Sequence, residues 1–383
     1  MRRDLYTFPM IVIVAPDSFK GTATAAEAAA GIAAGVREEL PDATVVTIPM
    51  ADGGEGTAEA LATAAATRGA EVATITLPVT DAVGRLAEAS YYLNLTDKAA
   101  YIDVAAATGL PAVADALDPL HADSYGTGVL IADAEAKGAE SIYLGLGGSA
   151  TIDGGTGILA ALGAAVHDAR GYALPKGGAP LVQLDTIDTV QLNMKAALLD
   201  YTLLSDTRVT PAQSTIVYGP QKGAKGEHLA LLTGAMLRLC DVTGIDPDTE
   251  YFGAAGCIPV GLTWVSRILW GNDEHARVCP GAEVVAAQLG LGERLRDAAL
   301  LITGEGKFDS QSLTGKVVGT LADMTRAAGV PLGIVAGVFD DDAQLADAAP
   351  GAYAAELTQQ GPLQEQLREA GRSIARAFAG DNA

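Results

Sequence analysis

Five short segments concentrate the residue types that handle phosphate and metal ions. Residues 15–21, Ala-Pro-Asp-Ser-Phe-Lys-Gly, follow the apolar run Ile11–Val14 and display Asp17, Ser18 and Lys20. Residues 51–57 set paired glycines beside Asp52 and Glu55. The glycines let the backbone turn tightly and present its N–H groups, and the acids could bind Mg²⁺ or accept a proton. Residues 145–155, Gly-Leu-Gly-Gly-Ser-Ala-Thr-Ile-Asp-Gly-Gly, offer Gly147, Gly148, Ser149, Gly154 and Gly155 ahead of an apolar segment. That is the pattern of a phosphate nest at a helix N-terminus. Residues 218–226 bring Lys222 and Lys225 into a loop of a lysine-poor chain, and residues 303–316 pack Glu305, Asp309, Gln311, Ser312 and Lys316 into one strand-to-helix turn.

Acids, lysines and glycine nests without a histidine cluster or a Ser/His pairing suit phosphoryl transfer. That reaction needs positioning, charge neutralisation and a carboxylate near the attacking hydroxyl. Simpler roles exist for single segments: acids near a helix N-terminus favour its dipole, and the Lys222 loop reads equally as a solvated turn. No Walker A pattern is present, since Gly315-Lys316 is followed by Val317. Gly145, Gly147 and Ala150, with Asp168 about twenty residues on, formally match a dinucleotide fingerprint, so a dinucleotide-dependent oxidoreductase is a distant alternative.

Strands expected over 11–14, 44–49, 141–146, 299–303 and 331–336 alternate with helices over 23–40, 57–68, 127–137, 315–328 and 363–378, the signature of a parallel sheet flanked by helices. Segments 71–79 and 86–95, joined by a turn at 81–84, read as an antiparallel pair, and 172–226 reads as loop-rich. The expected architecture is α/β. A discontinuous Rossmann- or flavodoxin-like parallel-sheet domain (1–85 plus 285–383) carries an inserted mixed α/β domain (86–284). Ligands of open α/β sheets bind at strand carboxyl ends, where the first segment lies.

The 383 residues are 49% hydrophobic and 19% charged, with few aromatics. That is long for a single core and points to two domains. A net charge of −22 argues against nucleic acid and anionic membranes as partners, though local lysines, backbone N–H groups and Mg²⁺ still permit a nucleotide. Cys240, Cys257 and Cys279 lack zinc or disulfide spacing and read as buried thiols. No apolar stretch reaches membrane-span length, so a cytoplasmic location is expected. Homodimerisation is left open.

The matching stretches are 15–21, 49–57 (Pro-Met-Ala-Asp-Gly-Gly-Glu-Gly-Thr), 125–128 (Tyr-Gly-Thr-Gly), 145–155, 219–224 (Gly-Pro-Gln-Lys-Gly-Ala) and 303–316. In order and content they resemble the glycerate kinase type 1 family over nearly the whole chain. The resemblance implies a two-domain enzyme with a cleft between its domains. It also implies ATP- and Mg²⁺-dependent phosphorylation of D-glycerate, typically to 2-phosphoglycerate. Under it, Asp17, Lys20, Asp52 and Asp206 are catalytic candidates. Ser18, Lys222, Gln311, Ser312 and Lys316 bind substrate, with Lys20 or Lys316 on its carboxylate. Gly147, Gly148, Ser149, Gly154 and Gly155 cradle phosphates, and Asp52, Glu55, Glu305 and Asp309 bind the metal. The chain departs from the family pattern at Asp103 (usually Glu), Ile152 (usually Asn), 205–214 and 254–259. A kinase for another small hydroxy acid, or a nucleotide-binding relative with impaired turnover, is the nearer alternative.

Overall fold

The computed structural model describes residues 10–19, 21–313, 315–340 and 349–381. Within them lie thirteen strands, numbered in chain order: β1 (Ile11–Val14), β2 (Thr44–Thr47), β3 (Val72–Thr80), β4 (Leu86–Asn94), β5 (Ala99–Asp103), β6 (Ser141–Gly145), β7 (Ala165–His167), β8 (Thr186–Asp188), β9 (Asp200–Ser205), β10 (Ala276–Pro280), β11 (Ala298–Phe308), β12 (Leu332–Phe339) and β13 (Tyr353–Glu356). The chain forms two compact units. One comprises the described parts of Met1–Asp52 and Val285–Ala383, the other Gly53–Val284. The first break therefore falls well ahead of residue 85. β3 pairs antiparallel with β4 from Val72↔Asn94 to Thr80↔Leu86, which ties it to the second unit's sheet. Asp81 stabilises the intervening turn by accepting from the N–H groups of Val83 and Arg85.

The first unit's sheet is wholly parallel, in the order β2-β1-β11-β12-β13. Val12, Ile13, Val14, Leu300, Leu301, Ile302, Ile334 and Val335 are all buried, the unbroken apolar run that a parallel sheet covered on both faces demands. The order of strand addition reverses between β1 and β11. Open α/β sheets form their crevices at the carboxyl ends beside such a switch point. β11 runs five residues past the expected strand end, to Phe308, pairing Lys307 with Val338 and Phe308 with Phe339. The first part of the 303–316 motif is thus strand, not turn; a Cβ on Gly304 would sit 2.4 Å from the Val335 carbonyl oxygen, and one on Gly337 2.3 Å from that of Gly306.

The second unit has a mixed six-stranded sheet, β10-β9-β6-β5-β4-β3, in which β5, β6, β9 and β10 are parallel. β7 and β8 pair antiparallel in a separate sheet. The segment expected to be loop-rich in fact contains β8, the inner strand β9 and the helix Pro211–Tyr218. Further on, the helix Ala254–Trp270 opens through three left-handed residues, Ala255, Gly256 and Cys257, with φ of 51°, 65° and 69°. Right-handed helix therefore begins only after Cys257. That places Pro259 in a first turn, where its missing N–H breaks no helical bond.

In the first unit, the helix Ala25–Glu39 starts with a capping box: Thr24 Oγ1 accepts from the Glu27 N–H, and Glu27 accepts from the Thr24 N–H. Its Ala/Gly face meets the helix Leu363–Asp381 at backbone contact. A Cβ on Gly35 would sit 1.8 Å from the Arg368 carbonyl oxygen, and one on Gly371 would sit 2.2 Å from that of Ile32. The pairs of Glu38 with Arg372 and of Glu39 with Arg376 flank this seam. Gly35→Ala must push the helices apart, and a loss of about 2–3 kcal/mol in unfolding free energy is expected from denaturant titration. An unchanged midpoint would contradict so close an approach.

Candidate functional site

In the first unit the chemistry gathers at the switch point. The Asp17 N–H, in the turn after β1, donates to the Gly304 carbonyl at 2.9 Å, and Asp17 Oδ1 accepts from the Ser18 N–H at 2.6 Å. Asp17 and Asp52 are buried, and the Met50 N–H donates to the Pro16 carbonyl, holding the approach to Asp52 beside the same turn. Glu305, on β11, is only 7% exposed, and among the described residues its Oε1 has no hydrogen-bond partner. Burial pushes this carboxyl up to about 7; Ser312 and Lys316 pull it down, and Asp52 and Asp309 add repulsion. Asp52, Glu305, Asp309, Ser312 and Lys316 therefore share one electrostatic neighbourhood. Ser312 is buried and its Oγ accepts from the Asp309 N–H, whereas Gln311 is exposed. Lys20 lies outside the described residues.

In the second unit, the carboxyl ends of β5, β6 and β9 are in register, with Asp103 opposite Gly145 and Gly145 opposite Leu204. Three turns converge there. The Gly147 N–H donates to the Gly53 carbonyl at 2.8 Å. A Cβ on Gly147 would meet Gly54 Cα at 2.5 Å and Asp206 Oδ2 at 3.4 Å, so only glycine lets these segments close together. Asp206 thus stands at the end of β9, a strand that went unread. Lys222 is buried; its Nζ donates to Ser149 Oγ at 3.0 Å and to the Thr151 carbonyl at 2.8 Å. A solvated turn is ruled out for this lysine.

Asp153 was not singled out from sequence, yet it organises the loop. Wholly buried, it accepts at Oδ2 from the N–H and hydroxyl of Ser124 and from the Gly157 N–H, and at Oδ1 from the Gly155 N–H. An acid inside a glycine run, followed by Gly154-Gly155, was the available signal. These bonds alter the expected nest. The Gly154 N–H donates to the Gly256 carbonyl and the Gly155 N–H to Asp153, so both are spent inside the protein. Gly148, which is exposed, and buried Ser149 are what is left of the expected nest. Ile152 and Cys257, two departures from the family pattern, bury together in one apolar cluster with Leu232 and Met236.

The dinucleotide fingerprint does not hold. β7 follows the helix Thr156–Ala161 but leaves the sheet of β6, so no βαβ unit forms. Asp168 accepts from Arg170 and Tyr172 within its own turn. Among the metal candidates, Glu55 is exposed, and among the described residues no three His, Cys, Asp or Glu side chains form a cage. Mg²⁺ needs no such cage when phosphate and water complete its shell. No helix among the described residues is long and apolar enough to cross a membrane.

Parallel strands whose carboxyl ends carry buried acids and glycine turns define an α/β enzyme of small molecules. Residues 12–380 match the model of the glycerate kinase family. Glycerate 2-kinase of Escherichia coli (strain K12) is 37% identical over 378 residues, covering 96% of each chain. Glycerate kinase of Bacillus subtilis (strain 168) is 36% identical over 342 residues, 87% of this chain and 86% of the relative. A crystal structure from Salmonella typhimurium LT2, assigned as glycerate kinase 2, superposes with a TM-score of 0.78 at 33% identity, covering 98% of this chain and 100% of that one. The chain belongs to the glycerate kinase family, phosphotransferases with an alcohol group as acceptor. The family implies ATP as the phosphoryl donor.

Asp103 supplies a pH test of this geometry. Its carboxylate accepts from the Gly56 N–H at 2.9 Å and the Ala58 N–H at 3.0 Å, capping the helix Thr57–Thr67. Burial raises it from 3.8 to about 7 against the pull of those two bonds, with Glu55 and Glu59 adding repulsion. The folded state then holds the proton more tightly than the unfolded state, so stability falls as pH rises from about 4 to about 7. Asp103→Asn is expected to remove this fall, read as urea midpoints across that window. A wild-type-to-variant difference that stays constant would exclude Asp103 as the titrating group.

Proposed function

We propose that this protein transfers the γ-phosphoryl group of ATP to D-glycerate, forming 2-phosphoglycerate with the help of Mg²⁺. Glu305 Oε1, buried beside Asp52 and unpartnered among the described residues, carries this reading. Such an oxygen is costly to leave unmade and is satisfied by a cation or a donor brought by the substrate. The choice of glycerate, and of its 2-hydroxyl, is supported by the name of the Escherichia coli relative. The burial of Ile152 and Cys257 in a shared apolar cluster supports it too, because those departures remove no polar group from the loop's exposed rim. Two α/β units, one with a flavodoxin-like parallel sheet and one with a mixed sheet, inserted in sequence, suit a two-substrate enzyme.

In this proposal Glu305 and Asp52 hold the cation, with Asp309 as a further carboxylate, while exposed Glu55 can contribute only at the rim. When bound, Mg²⁺ neutralises charge on phosphate oxygens. Either Asp17, after β1, or Asp206, after β9, orients the acceptor hydroxyl and takes up its proton. Lys316 or Lys20 binds the substrate carboxylate, with Ser18, Gln311 and Ser312 as hydrogen-bonding groups. Gly148 and Ser149 supply donors to phosphate.

³¹P NMR of the product from ATP, Mg²⁺ and D-glycerate tests activity and regiochemistry together, and a resonance of 2-phosphoglycerate is expected. A panel of other hydroxy acids turned over in preference to glycerate would overturn the substrate assignment. Glu305→Gln is expected to lower kcat by about 10²–10³-fold, the size of losing one preorganised electrostatic group. Its Tm should hold or rise, because the variant no longer buries an ionisable carboxyl. Unchanged turnover in that variant removes Glu305 from the site.

A further inference from the structure

Lys222 is an ammonium buried to 3% exposure, and among the described residues no carboxylate forms an ion pair with it. Its two acceptors, Ser149 Oγ and the Thr151 carbonyl, are neutral. Its hydrogen bonds reach only neutral dipoles, and the charges of Asp153 and Asp206 act on it without direct contact, so the buried ammonium is only partly compensated. The hydrogen-bond direction at Ser149 is informative. An ammonium only donates, so Ser149 Oγ must accept from Lys222, and its own hydrogen points elsewhere. Among the described residues nothing receives that hydrogen. Two residues along, Thr151 Oγ1 is also buried without a partner among the described residues. The neighbouring Gly148 is exposed, with φ of 76°, and opens this part of the loop to solvent.

We propose that Lys222 is a positioning residue that makes the Ser149 hydroxyl an obligatory donor, and that the resulting pair is a dedicated subsite for one oxyanion of the reaction. This rests on the kinase reading and refines it. Its ligand is a phosphate group of the nucleotide or the carboxylate of the hydroxy acid, the two oxyanions that reaction brings. Lys222 acts through Ser149 and supplies positive potential from behind the loop.

Burial lowers Lys222 to about 8, while Cys257, Asp153 and Asp206 act to raise it. Above that pH the neutral amine can itself accept a hydrogen bond, so the Ser149 hydrogen is free to turn inward and the donor is lost. Anion binding should therefore weaken as pH rises through about 8 and should take up a proton on the alkaline side.

The test is calorimetric titration of the full chain with ADP and, separately, with D-glycerate, between pH 6.5 and 9.5 in buffers of different ionisation enthalpy, for wild type, Lys222→Met, Ser149→Ala and the double variant. For one of the two ligands, each single variant is expected to weaken binding roughly ten- to hundredfold. Lys222→Met should also abolish the alkaline loss and the proton uptake, Ser149→Ala should diminish both, and the double variant should be no worse than the weaker-binding single one. The responding ligand identifies the source of the oxyanion. Ser149→Ala keeps the lysine, so it carries the test if Lys222→Met fails to fold. Unaltered affinity and pH dependence for both ligands, or fully additive losses, overturn the proposal. Wild type that binds ADP in this way yet does not phosphorylate glycerate would overturn the kinase reading instead.

Discussion

The Asp153 carboxylate, wholly buried, accepts four hydrogen bonds: two from Ser124 and one each from Gly155 and Gly157. Without those donors the charge could not be buried, and without the charge the donors would be orphaned. This mutual dependence pins the 145–157 loop to the start of the helix Tyr125–Ala136. It fixes where Thr151 and Ser149 stand, and so where Lys222 finds its acceptors. Ser214, whose Oγ donates to the Gly253 carbonyl, and the left-handed run Ala255–Cys257, whose Gly256 carbonyl receives the Gly154 N–H, brace the other side of the same loop. Left-handed φ at two residues bearing side chains is strain of a kind that persists only where surroundings over-determine it.

The first unit meets the same problem differently. Asp17 and Asp52 are buried beyond the ends of β1 and β2 and Glu305 within β11, and among the described residues one Glu305 oxygen stays unsatisfied. One unit thus spends its buried carboxylate on architecture, while the other leaves one open to a visitor. The raised positions of Glu305 and Asp103 have the same leading cause, removal from water, but opposite settings: Asp103 has two N–H partners, and among the described residues Glu305 Oε1 has none.

Much of this was legible in the chain. Buried parallel strands such as Ile11–Val14 announce themselves as continuous apolar runs, and the hairpin β3–β4 as two β-rich segments around an Asp/Gly turn. The density of acids and lysines in 303–316 identified the switch-point segment, although its first half proved to be strand. β9 escaped notice because Asp-Tyr-Thr-Leu-Leu-Ser is short and sits in loop-like surroundings; its place between β6 and β10 comes from tertiary pairing. The structural use of Gly154 and Gly155 was equally hidden, since a glycine run looks the same whether its N–H groups face a ligand or a buried aspartate. Only packing distinguishes these, through the contacts of Asp153 and Gly256.

The pairing of β1 with β11 has a consequence for synthesis. Thr303 Oγ1 donates to the Ala15 carbonyl across 288 positions of sequence. β1 leaves the ribosome early, yet one of its edges stays unpaired until the whole of Gly53–Val284 has been made. Closing so long a loop adds only modest entropy, because that term grows logarithmically. The greater hazard is time: Ile11–Val14 is an apolar, β-branched, uncharged segment, the kind that pairs with other chains when left waiting. A contiguous second unit that can acquire its own core during elongation shortens the list of exposed surfaces, but it leaves this strand waiting. Production of soluble protein should therefore be governed by translation speed and chaperone supply more than by the stability of the finished fold.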